Sequence, residues 1–444
     1  MYGRLITLLF FILLLAGCKP AAESEVTAIV GAVLIDGAGG PPISDSVVLV
    51  SGSRIRAAGP RATTPIPAGS EKIDGSEKFL VPGLIDLHVH LGARAGPRFV
   101  AADYTAERIR KNLNSYLYFG VTSVRSMGTD REAGLEVRES QRNAPPGTAR
   151  LFTAGRGFTA PGGHPSQEVG DIARQPRSPA EARSQVKDLA AGRVDAIKIW
   201  VDEVGGRLPK IQPAISEAIL EEARVHKIPV TAHIHSLADT MFLLDRGAAG
   251  FLHMIRDTEN IDPAFIARLR NLQIVFAPTL VRQELAWLLK EQPRWLSDPE
   301  IGRAADPETV AAVKSFAASL PSPSAEAREQ FERAVRNTKS LAQAGVPIGT
   351  GSDGGSAFDF PGLMLHRELE ILVEAGLTPL EVIQAATRNG TLALGKMDEL
   401  GVIQAGRRAD LLLLRANPAE DIRNLRKIDR LMLDGQWVDR ARLP

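Results

Sequence analysis

The chain has 444 residues, 44% of them hydrophobic and 24% charged, and its 53 Lys+Arg against 52 Asp+Glu give a formal net charge of +1. One cysteine excludes an internal disulfide, an iron–sulfur cluster and a cysteine-ligated zinc site. The balanced charge provides no overall field for nucleic acid, the apolar fraction excludes wholesale disorder, and the length admits one large α/β domain with an attachment or about two or three smaller domains.

The first elements concern targeting. Arg4 precedes an apolar run from Leu5 to Ala16, broken only by Thr7. A membrane-spanning helix needs about 20 apolar residues, so this run fits a signal peptide better. Leu15-Ala16-Gly17-Cys18 resembles a bacterial lipobox, which implies a signal over residues 1–17 and acylation of Cys18. Lys19 resembles outer-membrane sorting, so the expected location is the cell envelope, lipid-anchored at the outer membrane and facing the periplasm. Residues 18–25 read as a tether.

Residues 26–82 have β texture. Thr27–Ile35, Ser46–Val50, Arg54–Ala57, Glu71–Gly75 and Phe79–Val81 are branched, apolar runs separated by glycine and proline. The same texture returns over 396–444, where Leu411–Leu414 is followed by a hairpin, Arg430–Leu433 and Gln436–Val438, around Asp434-Gly435. Such strands need a second layer, so both ends of the mature chain are expected to form one small composite β-sandwich.

Residues 83–395 alternate strands and helices. The strands are expected at Leu84–Val89, Val121–Val124, Arg150–Thr153, Ala196–Trp200, Val230–Ile234, Gly250–His253, Gln273–Ala277 and Pro347–Thr350. Helices are expected at Tyr104–Tyr116, Pro179–Ala191, Ile211–His226, Leu237–Arg246 and Pro263–Asn271. This alternation predicts an α/β fold, a (β/α)8 TIM barrel, ahead of an open doubly wound sheet; no G-x-G-x-x-G follows the first strand. Residues 281–330 exceed an ordinary connection and read either as a lid over the strand C-terminal ends or as a surface insertion.

The histidines direct the functional reading. Of eight, His88 and His90 end the first expected barrel strand, His233 and His235 the fifth, and His253 the sixth. Asp353 follows the eighth in Gly349-Thr350-Gly351-Ser352-Asp353. Spacing by two puts paired side chains on one face of a strand, and strand C-terminal ends converge on the barrel mouth. A serine hydrolase lacks support, because G-x-S-x-G is absent.

Val81-Pro-Gly-Leu-Ile-Asp-Leu-His88-Val-His90 resembles the opening signature of the metal-dependent amidohydrolase superfamily. Asn389–Gly395 and Gly401–Leu411 resemble its closing segments. Within the superfamily the chain is similar to the imidazolonepropionase-like and prolidase-like branch. The resemblance implies the barrel plus composite β-sandwich and a binuclear site. Its ligands would be His88, His90, Lys198, His233, His253 and Asp353, with Lys198 N6-carboxylated. In the alternating pattern Ile197-Lys198-Ile199, a lysine facing the interior would be a costly buried ammonium unless so modified. Four neutral imidazoles suit zinc, so two divalent ions, Zn2+ foremost, are expected. A hydroxide bridging them would attack the amide, with Asp353 accepting its proton and passing one to the leaving amine.

For substrate contacts, His164 lies in a glycine-rich loop after the third strand and resembles a substrate-contact histidine of the prolidase-like branch. His235 would orient substrate or support His233. Arg156 and Arg256 could bind a substrate carboxylate through their guanidinium forks. The expected activity is hydrolysis of amide C–N bonds, dipeptidase- or carboxypeptidase-like, on a small amide or dipeptide-like substrate. The alternatives are a cyclic amide, urea or xenobiotic amide and, more remotely, a non-catalytic envelope binding protein. A homo-oligomer is compatible with the chain.

Overall fold

Gly31 divides the first apolar run. Thr27–Ile35 was expected as one strand, but the chain forms Val26–Val30 and Val33–Leu34, which belong to different sheets. Gly31 between them has φ 90°, a conformation that favours glycine and turns the chain out of the first sheet. The structure, a computed structural model, describes residues 26–92, 94–95, 97–100, 103–355 and 360–443. The expected signal peptide, Cys18 and the tether lie outside the described residues.

The first sheet runs in the order Arg54–Pro60, Ser46–Ser51, Val26–Val30, Glu71–Asp74. The second runs Gln436–Val438, Ile428–Leu433, Leu411–Leu414, Phe79–Pro82, Val33–Leu34. Its central ladder pairs Leu411 with Pro82 and Leu414 with Phe79, so it is built from both ends of the chain. Leu411–Leu414 shows no polar alternation because both its faces are covered. Leu411 and Leu413 join Ile29, Val48 and Ile55 of the first sheet in one core. Leu412 and Leu414 join the main core instead. Asp434 and Gly435 both have positive φ, 51° and 79°, as a two-residue type I′ hairpin requires.

The middle of the chain forms a TIM-barrel-like α/β fold whose parallel strands lie in two arcs. One arc contains the first, second and third barrel strands, Leu84–Val89, Val121–Ser126 and Arg150–Thr153. The other contains the fourth to seventh, Ile197–Trp200, Val230–His233, Gly250–Leu252 and Val275–Ala277. Single parallel bridges, Val89 to Gly354, Phe276 to Ile348 and Phe158 to Ile199, link neighbouring segments.

The expected eighth strand, Pro347–Thr350, is therefore corrected to an irregular segment. It still bonds on both sides, with Gly349 N donating to Phe276 O (2.8 Å) and Leu87 N to Thr350 O (2.9 Å). Pro347 has no N–H for a ladder. Gly349 and Gly351 lie so close to the first strand that a Cβ would approach Leu87 to 2.6 Å and His88 to 2.9 Å.

Helices Pro179–Ala191 and Pro263–Asn271 start on the prolines that announced them, after Ser178 and Asp262 caps. The remaining expected helices occupy Ala106–Tyr118, Pro213–Val225 and Leu237–Asp245. The long segment after the seventh strand carries Leu280–Glu291, Pro307–Ser319 and Ala325–Gln343. The first of these is tied to helix Leu363–Glu374 by buried Arg367, which donates to both carboxylate oxygens of Glu284 at 2.6 and 2.8 Å. Among the described residues, no helix is long and apolar enough to cross a membrane.

Candidate active site

Four strand ends and the segment after the seventh strand meet at one point. His88 Nε2 lies 3.3 Å and His90 Nε2 3.0 Å from the same oxygen of Asp353. The His253 ring centroid is 5.1 Å from that of His88 and 4.2 Å from that of His233. Lys198 is fully buried, and its Nζ lies 3.3 Å from His88 Nε2. Its neighbours Ile197 and Ile199 join the main apolar core, on the other side of the pleat. His253 and Asp353 hold left-handed backbone conformations, φ 66° and 58°, of the kind that concentrates at functional sites.

The rings are oriented through their second nitrogens. His88 Nδ1 contacts Thr279 Oγ1 at 3.4 Å, His90 Nδ1 contacts Thr129 Oγ1 at 3.1 Å, and His233 Nε2 contacts Asp202 Oδ2 at 3.1 Å. This leaves Nε2 of His88, Nε2 of His90 and Nδ1 of His233 as the nitrogens available to an ion. Beneath them, Asp86 accepts hydrogen bonds from Ser352 Oγ (2.6 Å), Ser352 N (3.0 Å) and His88 N (3.1 Å), which ties Asp353 to the first strand. Two glycines make room for the lysine: a Cβ on Gly128 or Gly157 would come within 2.5 Å of the Trp200 ring and 3.0 Å of Lys198 Cγ.

Burial sets the charges. It holds His88 and His253 well below the ordinary imidazole range and pushes His233 down to about 3, although Asp202 pulls the other way. Burial likewise lowers Lys198 to about 7. Asp353 is also buried, which raises a carboxyl, yet His88 and His90 outweigh that and keep it ionised. His88, His233 and His253 are thus held toward the neutral form beside an ionised Asp353, the protonation states that metal ligation requires. Donor atoms of His88, His253 and Asp353 lie within 4.8 Å of one another. Lys198 forms no ion pair among the described residues. The residues present therefore fit a metal site.

The cluster opens into a cavity of about 540 Å3. His164 lines it, its ring 5.3 Å from His233. Arg256 lines it too, but one arm is bound to Asp202 (3.2 Å) and another to Ile234 O (3.4 Å). Two expected contacts lie outside the lining. Arg156 is outside the lining, because its guanidinium donates to the backbone carbonyls of Ile172 (2.9 Å) and Asp171. His235 is also outside it: the fifth strand ends at His233, so the alternation of faces does not extend that far.

Sequence reasoning missed Asp202, Arg282 and Trp287. Asp202 follows the fourth strand and was open to discovery by the same strand-end rule that marked the histidines. Arg282 and Trp287 come from helix Leu280–Glu291, inside the segment read as lid or insertion, and line the cavity with Gln330 from the same long connection. Nothing local distinguishes them from other arginines and tryptophans.

A TIM-barrel-like fold with a His/Asp donor cluster at its strand ends places that cluster where barrel enzymes carry out their chemistry. Residues 79–438 match the model of the amidohydrolase family. The chain belongs to that family, whose members hydrolyse amide bonds. It is 26% identical over 440 residues to ochratoxinase of Aspergillus niger, covering 90% of this chain and 83% of that protein. It is 26% identical over 420 residues to imidazolonepropionase of Ralstonia nicotianae, covering 86% and 88%. In fold it is similar to a Xaa-Pro dipeptidase with bound methionine, at 22% identity and TM-score 0.73 over 93% of this chain and 100% of that one.

Proposed function

We propose that this enzyme is a peptidase-like amidohydrolase, cleaving a C-terminal residue or a dipeptide, with two divalent ions held by His88, His90, carboxylated Lys198, His233, His253 and Asp353. Zinc fits the imidazole-rich set best. The observation that carries the reading is the fully buried Lys198 Nζ, 3.3 Å from His88 Nε2 with no ion-pair partner among the described residues. When bound, the ions supply Lewis acidity toward the scissile carbonyl and a water of lowered pKa.

The protein's own groups do the rest. An Asp353 oxygen takes the proton of the attacking water and returns one to the leaving nitrogen. His164 lines the cavity beside His233 and orients the carbonyl end of the substrate. Asp202 holds His233 and Arg256 in place. Phe99, Trp200 and Trp287 limit water at the cavity wall.

A second reading, hydrolysis of a cyclic amide, urea or xenobiotic amide, draws support from the likeness to ochratoxinase and imidazolonepropionase over most of the chain. Zinc-loaded protein assayed against dipeptides, N-acyl amino acids, lactams and arylureas separates the two. Turnover confined to the first two classes supports the peptidase-like reading; turnover confined to lactams or ureas overturns it. The proposal includes anchoring of the enzyme in the bacterial envelope through acylated Cys18.

A further inference from the structure

One cation in the cavity is not neutralised in the way the others are. Arg256 is bound by Asp202 and a backbone carbonyl, and Arg156 is spent on two carbonyls outside the lining. Arg282 lines the cavity, and its one ion pair among the described residues runs from Nε to Asp353 Oδ2 at 3.5 Å. No hydrogen bond to another described residue ties down its guanidinium, which is about a third exposed at the cavity wall. Next to it, Gln283 also lines the cavity, and its Nε2 is a buried donor with no acceptor among the described residues. Trp287, four residues beyond Gln283 on the same helix, adds an apolar wall.

This arrangement has a direction. Asp353 is the group that delivers a proton to the leaving nitrogen, so the free end of Arg282 lies on the leaving-group side of the scissile bond. A planar fork with no hydrogen-bond partner among the described residues, beside an amide donor that also lacks one there, matches the needs of a carboxylate, which accepts paired N–H bonds. We infer that Arg282, assisted by Gln283, receives a carboxylate borne by the leaving group, so that the substrates are N-acyl α-amino acids or peptides with a free C-terminal residue. The inference rests on the hydrolase reading for the placement of the leaving nitrogen. It adds an arginine of the long connection to the two expected from the sequence, of which Arg256 lines the cavity and Arg156 does not.

The test uses zinc-loaded full-length protein and paired probes, the N-benzoyl derivatives of alanine, phenylalanine, proline and arginine, each as free acid and as primary amide. Binding is measured by calorimetry and turnover by amine release. Wild type should bind at least one acid about tenfold or more tighter than its amide, as a charge-assisted fork predicts. In Arg282→Gln that preference should shrink to about twofold, and Arg282→Lys should restore part of it. The melting temperature shows that the variants are folded. Equal binding of acids and amides, a preference that survives Arg282→Gln, or no binding of any probe overturns the inference. Acid-selective, Arg282-dependent binding without hydrolysis of any probe sustains the carboxylate site while overturning the peptidase-like reading.

Discussion

Asp202 Oδ2 lies 3.1 Å from His233 Nε2 and 3.2 Å from a terminal nitrogen of Arg256, so one carboxylate fixes a ring of the donor cluster and a cation at the cavity wall. Burial raises a carboxyl, yet these two partners hold Asp202 far below the usual range. Its charge is therefore a permanent feature of the site. Asp202→Asn should leave the fold intact and weaken metal retention about 10- to 100-fold, the usual consequence of losing an outer partner of a ligating histidine. Competition with a chelator measures this, and unchanged retention contradicts the role given to Asp202.

Arg367 holds the helix that carries Arg282, Gln283 and Trp287. It is buried, and its partner Glu284 is buried with it. Arg367→Met leaves Glu284 without its main cation and should destabilise the protein by about 3–5 kcal/mol. The double variant Arg367→Met with Glu284→Met should recover most of that. Denaturant unfolding of the three proteins checks both statements.

Glu368 is fully buried and accepts a hydrogen bond from Val281 N at 2.8 Å. Burial pushes its carboxyl up to about 8. A carboxyl raised on folding contributes stability at low pH and loses it as pH rises from its unfolded value near 4.5 through about 8. Glu368→Gln keeps an acceptor for Val281 and removes the titration. The variant should gain melting temperature relative to wild type between pH 5 and pH 9, by about 1 °C per kcal/mol for a chain of this length. A pH-independent difference between the two would contradict the assignment.

Cys18 follows the apolar run Leu5–Ala16 and the small residues Ala16-Gly17. In a bacterial host, wild-type protein should partition with membranes and incorporate labelled palmitate. Cys18→Ala should do neither, since it removes the only thiol in the chain. Palmitate labelling of the alanine variant, or a soluble wild-type protein, would contradict the anchoring proposal.

Much of this architecture is legible in the chain because it is written in local rules. Asp434-Gly435 states its hairpin, Pro179 and Pro263 state their helix starts, and the two-residue spacing of His88 and His90 states a strand end. What was not legible depends on distant partners. Gly31 looks like an ordinary glycine until its neighbours enter different sheets. Pro347–Thr350 reads as a strand, but Gly349 and Gly351 are shaped by close approach to Leu87 and His88, far away in sequence. Arg156 follows a strand much as a site residue would, and only the fold shows its fork closed on Asp171 and Ile172. Arg282 carries no local mark, because its meaning comes from Asp353.

Buried Lys198 is proposed to be an anionic metal ligand rather than an ammonium. The direct measurement is metal content of zinc-loaded wild type and Lys198→Ala, with the variant then given bicarbonate or acetate. The account predicts two ions per wild-type chain, loss of at least one ion and about 10²-fold or more of activity in the variant, and partial return of both when the small carboxylate fills the space. Equal metal content and activity in the two proteins, or a single ion in wild type, would contradict it.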